Sequence, residues 1–351
     1  MALRVLFLTL YPEGAASPRY RVLQFLPHLR EHGILCDVAA PLSANRWSQL
    51  TGSNRPDWGG WYHLHETPRR LLQLLRARKY DVVVLQKAVM TAYWWGLHTL
   101  VRGMARRLVY DIDDAVHLSP PHPLHAPWSL LEDRTQVLRL FRDADLVLAG
   151  NRWLTEEARS AGANAVEFPT VVDTDRFLPG AAVPPRYRVG WMGSPSTTPA
   201  LGVLVPALNT LADADIRLVG ADAKQVDCAR AEVQPWSYAT EVRELQEFSV
   251  GLFPQQRDPW TLGKCALKAI TYMACGVPPV ATPYGAALDI IHDGATGLFA
   301  DNTTEWSTAL ERLRDPGLRA QLGAAARADV EKRFSLREAA PRLRAHLEGL
   351  M

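Results

Sequence analysis

The 351-residue chain lacks the features that mark several protein classes. Its four cysteines form no C-x-x-C pair, which excludes a disulfide scaffold and a thiolate zinc site and suits a reducing cytosol. In its aromatic-rich region the longest charge-free run, residues 88–101, is too short for a membrane-spanning helix, which needs about 20 residues. We therefore expect a cytoplasmic protein that does not span a membrane.

Common nucleotide and nucleophile motifs are also missing. No G-x-G-x-x-G follows a predicted strand, so a nicotinamide-binding fold lacks its phosphate loop. Gly263-Lys264 is followed by Cys265 instead of Ser or Thr, and no glycine stands five residues before Gly263, which argues against a nucleoside-triphosphate P-loop. No G-x-S-x-G segment is present, so the sequence does not indicate a serine hydrolase.

Apolar runs of strand length alternate with amphipathic runs of helix length along the chain, and 48% of the residues are apolar. This alternation predicts a doubly wound α/β fold with parallel sheets covered by helices. The length and the break at Pro179–Pro185 predict two domains, residues 1–180 and 181–335, followed by a C-terminal helix over 336–351. The predicted strands are 4–10, 34–41, 80–87, 106–113, 144–150, 165–172, 187–193, 215–221, 248–254 and 278–283.

Three predicted strand ends in the second domain carry groups that bind anions. A small polar turn follows the strand at 187–193, and a strand, a turn and a helix start also occupy 281–290. Lys264 and Lys268 are four residues apart, so on one helix they would share a face beside a diphosphate. Ordinary helix capping and exposed lysines explain each signal equally well when it is taken alone. The residues concerned are Gly193, Ser194, Ser196, Thr197, Lys264, Lys268, Tyr284, Gly285 and Ala286.

In the first domain, the strand at 106–113 ends in Asp111, Asp113 and Asp114. Carboxylates at such an edge can accept hydrogen bonds from a sugar, or they can cap a helix and pair with an arginine. Arg19 and Arg21 follow the first strand, where they would either reach an anion or be solvated. We expect Ser17-Pro18 to start that helix as its N-cap and first-turn proline.

Residues 46–110 carry eleven Lys and Arg against three Asp and Glu, together with five tryptophans. A basic surface with aromatic side chains suits anionic lipid headgroups, whereas a solvated helix face with buried tryptophans explains the same composition. This segment is the basis for a predicted peripheral contact with the inner face of a membrane.

The chain resembles the family 4 retaining glycosyltransferases of the GT-B fold over nearly its whole length. Val172-Asp-Thr-Asp-Arg-Phe177 resembles the family's "vDtdrF" segment, and Tyr272-Met-Ala-Cys-Gly-Val-Pro278 resembles its "EAMAcGvPvV" segment. Gly285-Ala-Ala-Leu-Asp289 stands at the "GGxxE" position and Asp293-Gly-Ala-Thr-Gly-Leu298 at "dGxtGllv". The resemblance implies two Rossmann-like domains that face a central cleft, with the acceptor on the first and the nucleotide-sugar donor on the second. It also implies that the C-terminal helix over 336–351 packs back on the first domain.

Several positions depart from the family pattern. The two glutamates of the family's E-x7-E motif are replaced by Gly263 and Thr271, and the second glutamate normally holds the nucleotide ribose. Asp113 stands where many relatives have a histidine that contacts the donor sugar. These departures make the lysines at 264 and 268 the expected phosphate ligands.

We therefore expect a retaining, metal-independent glycosyltransferase that needs no cofactor. It would move a sugar from a nucleoside diphosphate to a hydroxyl of a glycan, glycolipid or small molecule, with Asp113, Asp114 and Lys264 as catalytic residues. An NDP-sugar 2-epimerase on the same fold and a non-catalytic binding protein are the alternatives. The expected donor-binding residues are Arg19, Arg21, Gly193, Ser194, Ser196, Thr197, Lys268, Thr271, Tyr284, Gly285 and Ala286.

Overall fold

The computed structural model describes residues 2–47, 63–90, 94, 96–118, 133–181, 186–211 and 213–351. The chain forms two compact units. Unit 1 comprises Met1–Thr170, Leu262–Cys265 and Ala339–Met351, and unit 2 comprises Val171–Thr261 and Ala266–Glu338. The domain boundaries given above at residues 180 and 335 stay predictions.

Unit 1 contains a six-stranded parallel sheet in the order β2-β1-β3-β4-β5-β6. Every residue of strands β3 and β5 is buried, and apart from Gln86 these strands are apolar, as a sheet covered by helices requires. The strands are β1 Arg4–Leu8, β2 Leu35–Ala39, β3 Val82–Gln86, β4 Arg107–Ile112, β5 Leu146–Ala149 and β6 Ala165–Glu167. The helices of this part of the chain are α1 Ala16–Arg21, α2 Leu26–Glu31, α3 His63–Ala77, α4 Leu97–Met104, α5 Gln136–Asp143 and α6 Arg152–Ser160, with a 3₁₀ turn at Leu23–Phe25.

Unit 2 contains a second six-stranded parallel sheet, in the order β12-β11-β10-β7-β8-β9. Counted from β7, this is the order 3-2-1-4-5-6 of dinucleotide-binding folds read from the other edge. The strands are β7 Arg188–Met192, β8 Asp215–Val219, β9 Ala231–Gln234, β10 Val250–Phe253, β11 Pro279–Ala281 and β12 Leu298–Phe299.

The helices of the second half of the chain belong mostly to unit 2, but the last one lies largely in unit 1, which includes Ala339–Met351. They are α7 Val205–Thr210, α8 Glu241–Gln246, α9 Pro259–Leu262, α10 Leu267–Ala274, α11 Ala287–Ile290, α12 Thr303–Arg312, α13 Pro316–Arg333 and α14 Leu336–Glu348, with 3₁₀ segments at Pro195–Leu204 and Ala223–Gln225. No helix in the described ranges is both long enough and apolar enough to cross a membrane.

The predicted α/β class with parallel sheets is confirmed, and each of the ten predicted strands lies where it was expected. Two strands were missed, β9 and β12. Strand β9 is an edge strand whose residues are half-buried or exposed and include Glu232 and Gln234, so it has no continuous apolar run. Strand β12 has only two residues. Part of the predicted hinge, residues 182–185, lies outside the described residues.

Candidate functional site

Both sheets have a point at which the strand order reverses. In unit 2 it lies between β7 and β10, and in unit 1 between β1 and β3. Ligands of open α/β sheets bind at the carboxyl ends of the strands at such points. The segments that follow these strands are therefore the places where the sequence-predicted residues have to be examined, one unit at a time.

The turn after β7 has room only for glycine at its first position. A Cβ atom on Gly193 would overlap the ring of Trp191 and lie 2.9 Å from Cε of Lys268. Ser194 then caps the 3₁₀ segment that begins at Pro195, and its backbone N–H donates to Oγ1 of Thr197 at 3.1 Å. The N-cap interpretation of this turn is thus correct, and the capping also fixes the hydroxyls of Ser194, Ser196 and Thr197 close together.

Lys268 lies beside this turn. Its ammonium donates to Oγ1 of Thr197 at 3.3 Å and lies 5.3 Å from the ring centroid of Trp191. A lysine next to hydroxyls at the start of a helical segment provides positive charge and hydrogen-bond donors at one place. Within unit 2 this is the arrangement that best fits an anionic group.

Lys264 and Lys268 do not share a helix face, so that part of the expectation is wrong. Helix α9 ends at Leu262 and α10 begins at Leu267, and Ala266 between them adopts a left-handed conformation with φ of 49°. Lys264 belongs to unit 1, where the side chain of Asn151 donates to the backbone oxygens of Leu262 at 2.8 Å and Lys264 at 3.0 Å. The segment around Lys264 is therefore held by its backbone.

The two positions of the missing glutamates are occupied by groups that fit their surroundings. A Cβ atom on Gly263 would lie 2.8 Å from Cα of Ala115 and closer still to other atoms of that residue. Thr271 is 8% exposed and its hydroxyl donates to the carbonyl of Lys268 at 2.8 Å. The Thr271 hydroxyl proton is thus committed to its own helix.

The turn that contains Tyr284, Gly285 and Ala286 follows β11. The hydroxyl of Tyr284 donates to the carbonyl of Asp258 at 3.0 Å, which ties this turn to the segment after β10. Gly285 has a φ of 56°, a conformation that favours glycine, and Ala286 is buried. Among the described residues, no acceptor is bonded to the N–H groups of Gly285 and Ala286.

Gln255 lies next to this turn and was not singled out from the sequence. Its backbone N–H donates to Oγ1 of Thr282 at 3.1 Å, and the residue is only 6% exposed. Neither atom of its side-chain amide has a hydrogen-bond partner in the part of the chain that the structure describes. The sequence signal that could have identified Gln255 is its position directly after Pro254, at the end of β10.

In unit 1, Arg21 is a buried structural group. Its Nε lies 3.1 Å from Oδ1 of Asp111, a terminal nitrogen pairs with the same carboxylate, and another donates to the carbonyl of Phe168 at 2.7 Å. Arg21 is only 4% exposed. The structure thus places Arg21 as a link between α1, β4 and the chain after β6 and does not present it to a diphosphate. Arg19 is half-buried, with its guanidinium carbon 5.9 Å from the ring centroid of Tyr20.

Asp113 and Asp114 follow β4 and both contact Lys87, which follows β3. The Lys87 ammonium lies 3.1 Å from Oδ2 of Asp114 and 3.6 Å from Oδ1 of Asp113. All three side chains are less than 20% exposed. Because β3 and β4 are adjacent, with Gln86 opposite Asp111, the strand register brings these three residues together.

A second set of contacts fixes Asp113. The hydroxyl of Ser17 donates to Oδ2 of Asp113, and the amide of Gln86 donates to that hydroxyl at 2.6 Å. The expectation that Ser17 is an N-cap is wrong, because α1 already begins at Ala16 and Ala15 provides no side-chain cap. The hydroxyl of Ser17 instead forms hydrogen bonds with the side chains of Asp113, which follows β4, and Gln86 of β3.

The charges of this cluster shift one another. Burial raises the pKa of Asp113, but Lys87, Arg21 and the hydrogen bond from Ser17 lower it, and the net pKa lies below the ordinary value. Burial lowers the pKa of Lys87, whereas Asp113 and Asp114 raise it well above its ordinary value. The two effects together keep Lys87 and Asp113 ionised near neutral pH.

Solved structures of other proteins have a similar fold. The structure is similar to that of HepE from Anabaena in complex with UDP and glucose, with a TM-score of 0.69 and 16% identity over 99% of this chain and 100% of that one. It is also similar to sucrose-phosphate synthase from Thermosynechococcus elongatus, with a TM-score of 0.71 and 16% identity over 99% of both chains. The two parallel sheets and this likeness define a GT-B fold.

Comparisons of the sequence show which group of proteins the chain is similar to. Residues 186–315 match the family described as glycosyl transferases group 1. The chain is also 29% identical over 265 residues to the GDP-mannose-dependent alpha-(1-6)-phosphatidylinositol monomannoside mannosyltransferase of Mycolicibacterium smegmatis. That match covers 64% of this chain and spans 66% of the length of the mannosyltransferase. Both comparisons thus show a similarity to glycosyltransferases of this group.

Proposed function

We propose that this protein transfers a sugar from a nucleoside-diphosphate sugar to a hydroxyl acceptor, with retained anomeric configuration and without a metal ion. The observation that carries the proposal is the position of Lys268 beside the Ser194–Thr197 turn, where the strand order of unit 2 reverses. The order of this sheet is that of nucleotide-binding folds, and its switch point is where such folds hold the phosphates of the ligand.

The leaving group of the reaction is a diphosphate whose negative charge grows as the glycosidic bond breaks. A fixed ammonium, hydroxyls and N–H groups that are already oriented stabilise such a charge without reorganisation, as a metal ion does elsewhere. Lys268, Ser194 and Thr197 supply these groups in unit 2. When the acceptor attacks on the face from which the diphosphate leaves, a phosphate oxygen takes the acceptor proton, so no separate general base is needed.

The acceptor side of the proposal rests on Asp113 and Asp114 of unit 1. Their carboxylates are held by Lys87 and Ser17, and Oδ1 of each accepts no hydrogen bond from any described residue. Carboxylate oxygens that accept no hydrogen bond within the protein can accept one from a sugar or acceptor hydroxyl. These two residues are thus proposed to orient a hydroxyl-bearing ligand.

The chemistry of the ligands is proposed from the relatives. The mycolicibacterial relative is named for GDP-mannose and a phosphatidylinositol mannoside, and HepE was crystallised with UDP and glucose. GDP and UDP are therefore the first donor nucleotides to test, and a lipid-linked acceptor is the preferred acceptor class. The basic segment at 46–110 suits an anionic membrane surface, although Trp58, Trp61 and Trp95 lie outside the described residues.

The experiment that tests this function is a thermal-shift screen of the purified protein with UDP, GDP, ADP, dTDP and CDP, in EDTA and in Mg²⁺. A ligand that binds only the folded state at a hundredfold excess over its Kd stabilises the protein by about 2.7 kcal/mol. We expect one diphosphate to raise the Tm equally in both buffers. No shift with any nucleotide would contradict the proposal, and a shift only in Mg²⁺ would contradict its metal-independent part.

A further inference from the structure

Lys87 has a backbone conformation that lysine rarely adopts. Its φ is 72°, and the carbonyl of Gln86 accepts a hydrogen bond from the N–H of Ala88 at 2.9 Å, so Lys87 is the central residue of a three-residue γ-turn. A left-handed conformation of a residue other than glycine costs about 1–3 kcal/mol and persists only where surrounding contacts fix it. The turn lies at the point where the strand order of unit 1 reverses.

The contacts that fix this turn involve the backbone of Lys87 on both sides. Its N–H donates to the carbonyl of Asp111 at 2.7 Å, and its carbonyl accepts the hydroxyl proton of Tyr110 at 2.8 Å. Tyr110 is itself fully buried. Strand β4, which carries Asp113 and Asp114 at its end, therefore also holds the turn that directs the lysine toward them.

The side chain of Lys87 is shared between the two carboxylates. It is 3.1 Å from one oxygen of Asp114 and 3.6 Å from one oxygen of Asp113, in a region where little of any of the three side chains is exposed. Two neighbouring buried carboxylates repel each other, and a cation between them removes that repulsion. Each carboxylate keeps an oxygen, Oδ1, that accepts no hydrogen bond within the described ranges.

We propose that Lys87 is a positioning residue, which holds Asp113 and Asp114 ionised and aligned so that they accept hydrogen bonds from the hydroxyls of the bound sugar or acceptor. This inference rests on the proposed function. Lys87 itself contacts no substrate in this proposal, because its charge is directed to the two aspartates. The strained turn then directs the side chain of Lys87 toward the two aspartates.

The charged and titratable groups around Asp113 come from several elements. Besides Lys87 and Asp114 they are Tyr11 after β1, Arg21 on α1, Asp111 on β4, and Cys265, and Glu66 on α3 acts on Tyr11. Of these, Lys87 and Arg21 lower the pKa of Asp113, and Lys87 has the larger effect. Removing the lysine leaves burial and the neighbouring carboxylates, both of which raise the pKa of Asp113.

The test compares K87M and K87R with the wild type and with K332M, which removes an exposed lysine of α13. The readout is the pH dependence of kcat/KM for sugar transfer between pH 5 and 9. We expect K87M to lower kcat/KM by about 100-fold at neutral pH, a typical effect of a misplaced polar group. We also expect the acidic limb of its profile to move to higher pH, and K87R to restore the position of that limb. K332M should match the wild type.

An acidic limb that stays in place in K87M, or that K87R does not restore, would overturn the inference. Unchanged kcat/KM in K87M would do so as well. The wild type is the reference for the proposed function itself, since absence of transfer from every nucleotide sugar would contradict that function before Lys87 is considered.

An equilibrium-unfolding measurement tests the Lys87 inference without any activity. In K87M we expect burial and the neighbouring carboxylates to raise the pKa of Asp113 above its unfolded value of about 4, so that ionisation of Asp113 destabilises the variant as the pH rises from 4 to 7. The stability difference between wild type and K87M should therefore be larger at pH 7 than at pH 4, and D113N should reduce this pH dependence. A difference that does not vary with pH would contradict the inference.

Discussion

Gly263 packs directly against Ala115, and a Cβ atom added to the glycine would lie 2.8 Å from Cα of Ala115. Both residues belong to unit 1, where the side chain of Asn151 also holds the segment at 262–264. This contact explains why the first glutamate of the family motif is absent, since no side chain fits at this position. Under the proposed function, other residues would recognise the donor, and Lys268 is the candidate in unit 2.

Restoring the family residue should therefore damage the protein. We expect G263E to lower the free energy of unfolding by at least about 3 kcal/mol, the upper end of ordinary overpacking, because backbone atoms of Ala115 cannot move aside easily. Urea unfolding would measure this change. The matched control is G103E on the exposed side of α4, where no atom lies within 4 Å of an added Cβ atom. Equal stability of the two variants would show that the 263 segment can rearrange.

Arg21 should prove to be a stability residue. We expect R21M to lower the free energy of unfolding by about 3–5 kcal/mol, because it leaves the carboxylate of Asp111 buried without its ion-pair partner. The double variant R21M/D111L removes that charge too and should recover part of the loss. Denaturant unfolding of R21M, D111L and the double variant gives the coupling free energy between Arg21 and Asp111. A stable R21M that has lost nucleotide binding would instead support the diphosphate contact expected from the sequence.

Lys268 should act on the phosphates of the donor. We expect K268M to raise the Kd of the nucleoside diphosphate that wild type binds by at least tenfold, about 1.4 kcal/mol, and to leave the Kd of the corresponding nucleoside unchanged. Isothermal titration calorimetry at two salt concentrations would measure both. K332M, at an exposed position of α13 in the same unit, is the control. Equal weakening of nucleoside and diphosphate would show that Lys268 shapes the pocket instead of binding phosphate.

Local sequence signals were sufficient for most of the sheet architecture and failed where distant segments decide the conformation. The run at Val82–Gln86 is apolar enough to predict a buried strand, and the positions after such strands were the right places to look. The role of Lys87 depends on the register of β3 with β4 and on a γ-turn, neither of which has a local signature.

The lysine pair shows the same limit. A spacing of four predicts one helix face, but the packing of Gly263 on Ala115 and the left-handed Ala266 break the helix between Lys264 and Lys268. Ser17-Pro18 likewise has the local pattern of a helix start, although the Ser17 hydroxyl bonds to Asp113, which is 96 residues away in sequence. Long-range contacts of this kind determine which of several locally reasonable roles a side chain takes.

Helix α3 has exposed apolar and basic side chains through which the predicted membrane contact can be tested. Leu72 is 60% exposed and Leu75 is 59% exposed, and Arg76, Arg78 and Lys79 lie close to them in sequence on exposed positions. Exposed leucines beside basic residues are typical of helices that lie on anionic membranes. We expect the protein to float with vesicles that contain phosphatidylglycerol at low salt and to remain unbound to vesicles of phosphatidylcholine alone.

The variant L72S/L75S should reduce the bound fraction several-fold at equal Tm, because it removes apolar area that would otherwise leave water on binding. L288S is the matched control, since Leu288 of unit 2 is 54% exposed but lies outside the basic segment. Raising the salt concentration should release the wild type, because it screens the attraction between basic side chains and lipid phosphates. If L72S/L75S floats as well as L288S, these leucines belong to a solvated helix face, and a lipid-linked acceptor would have to reach the enzyme by another surface.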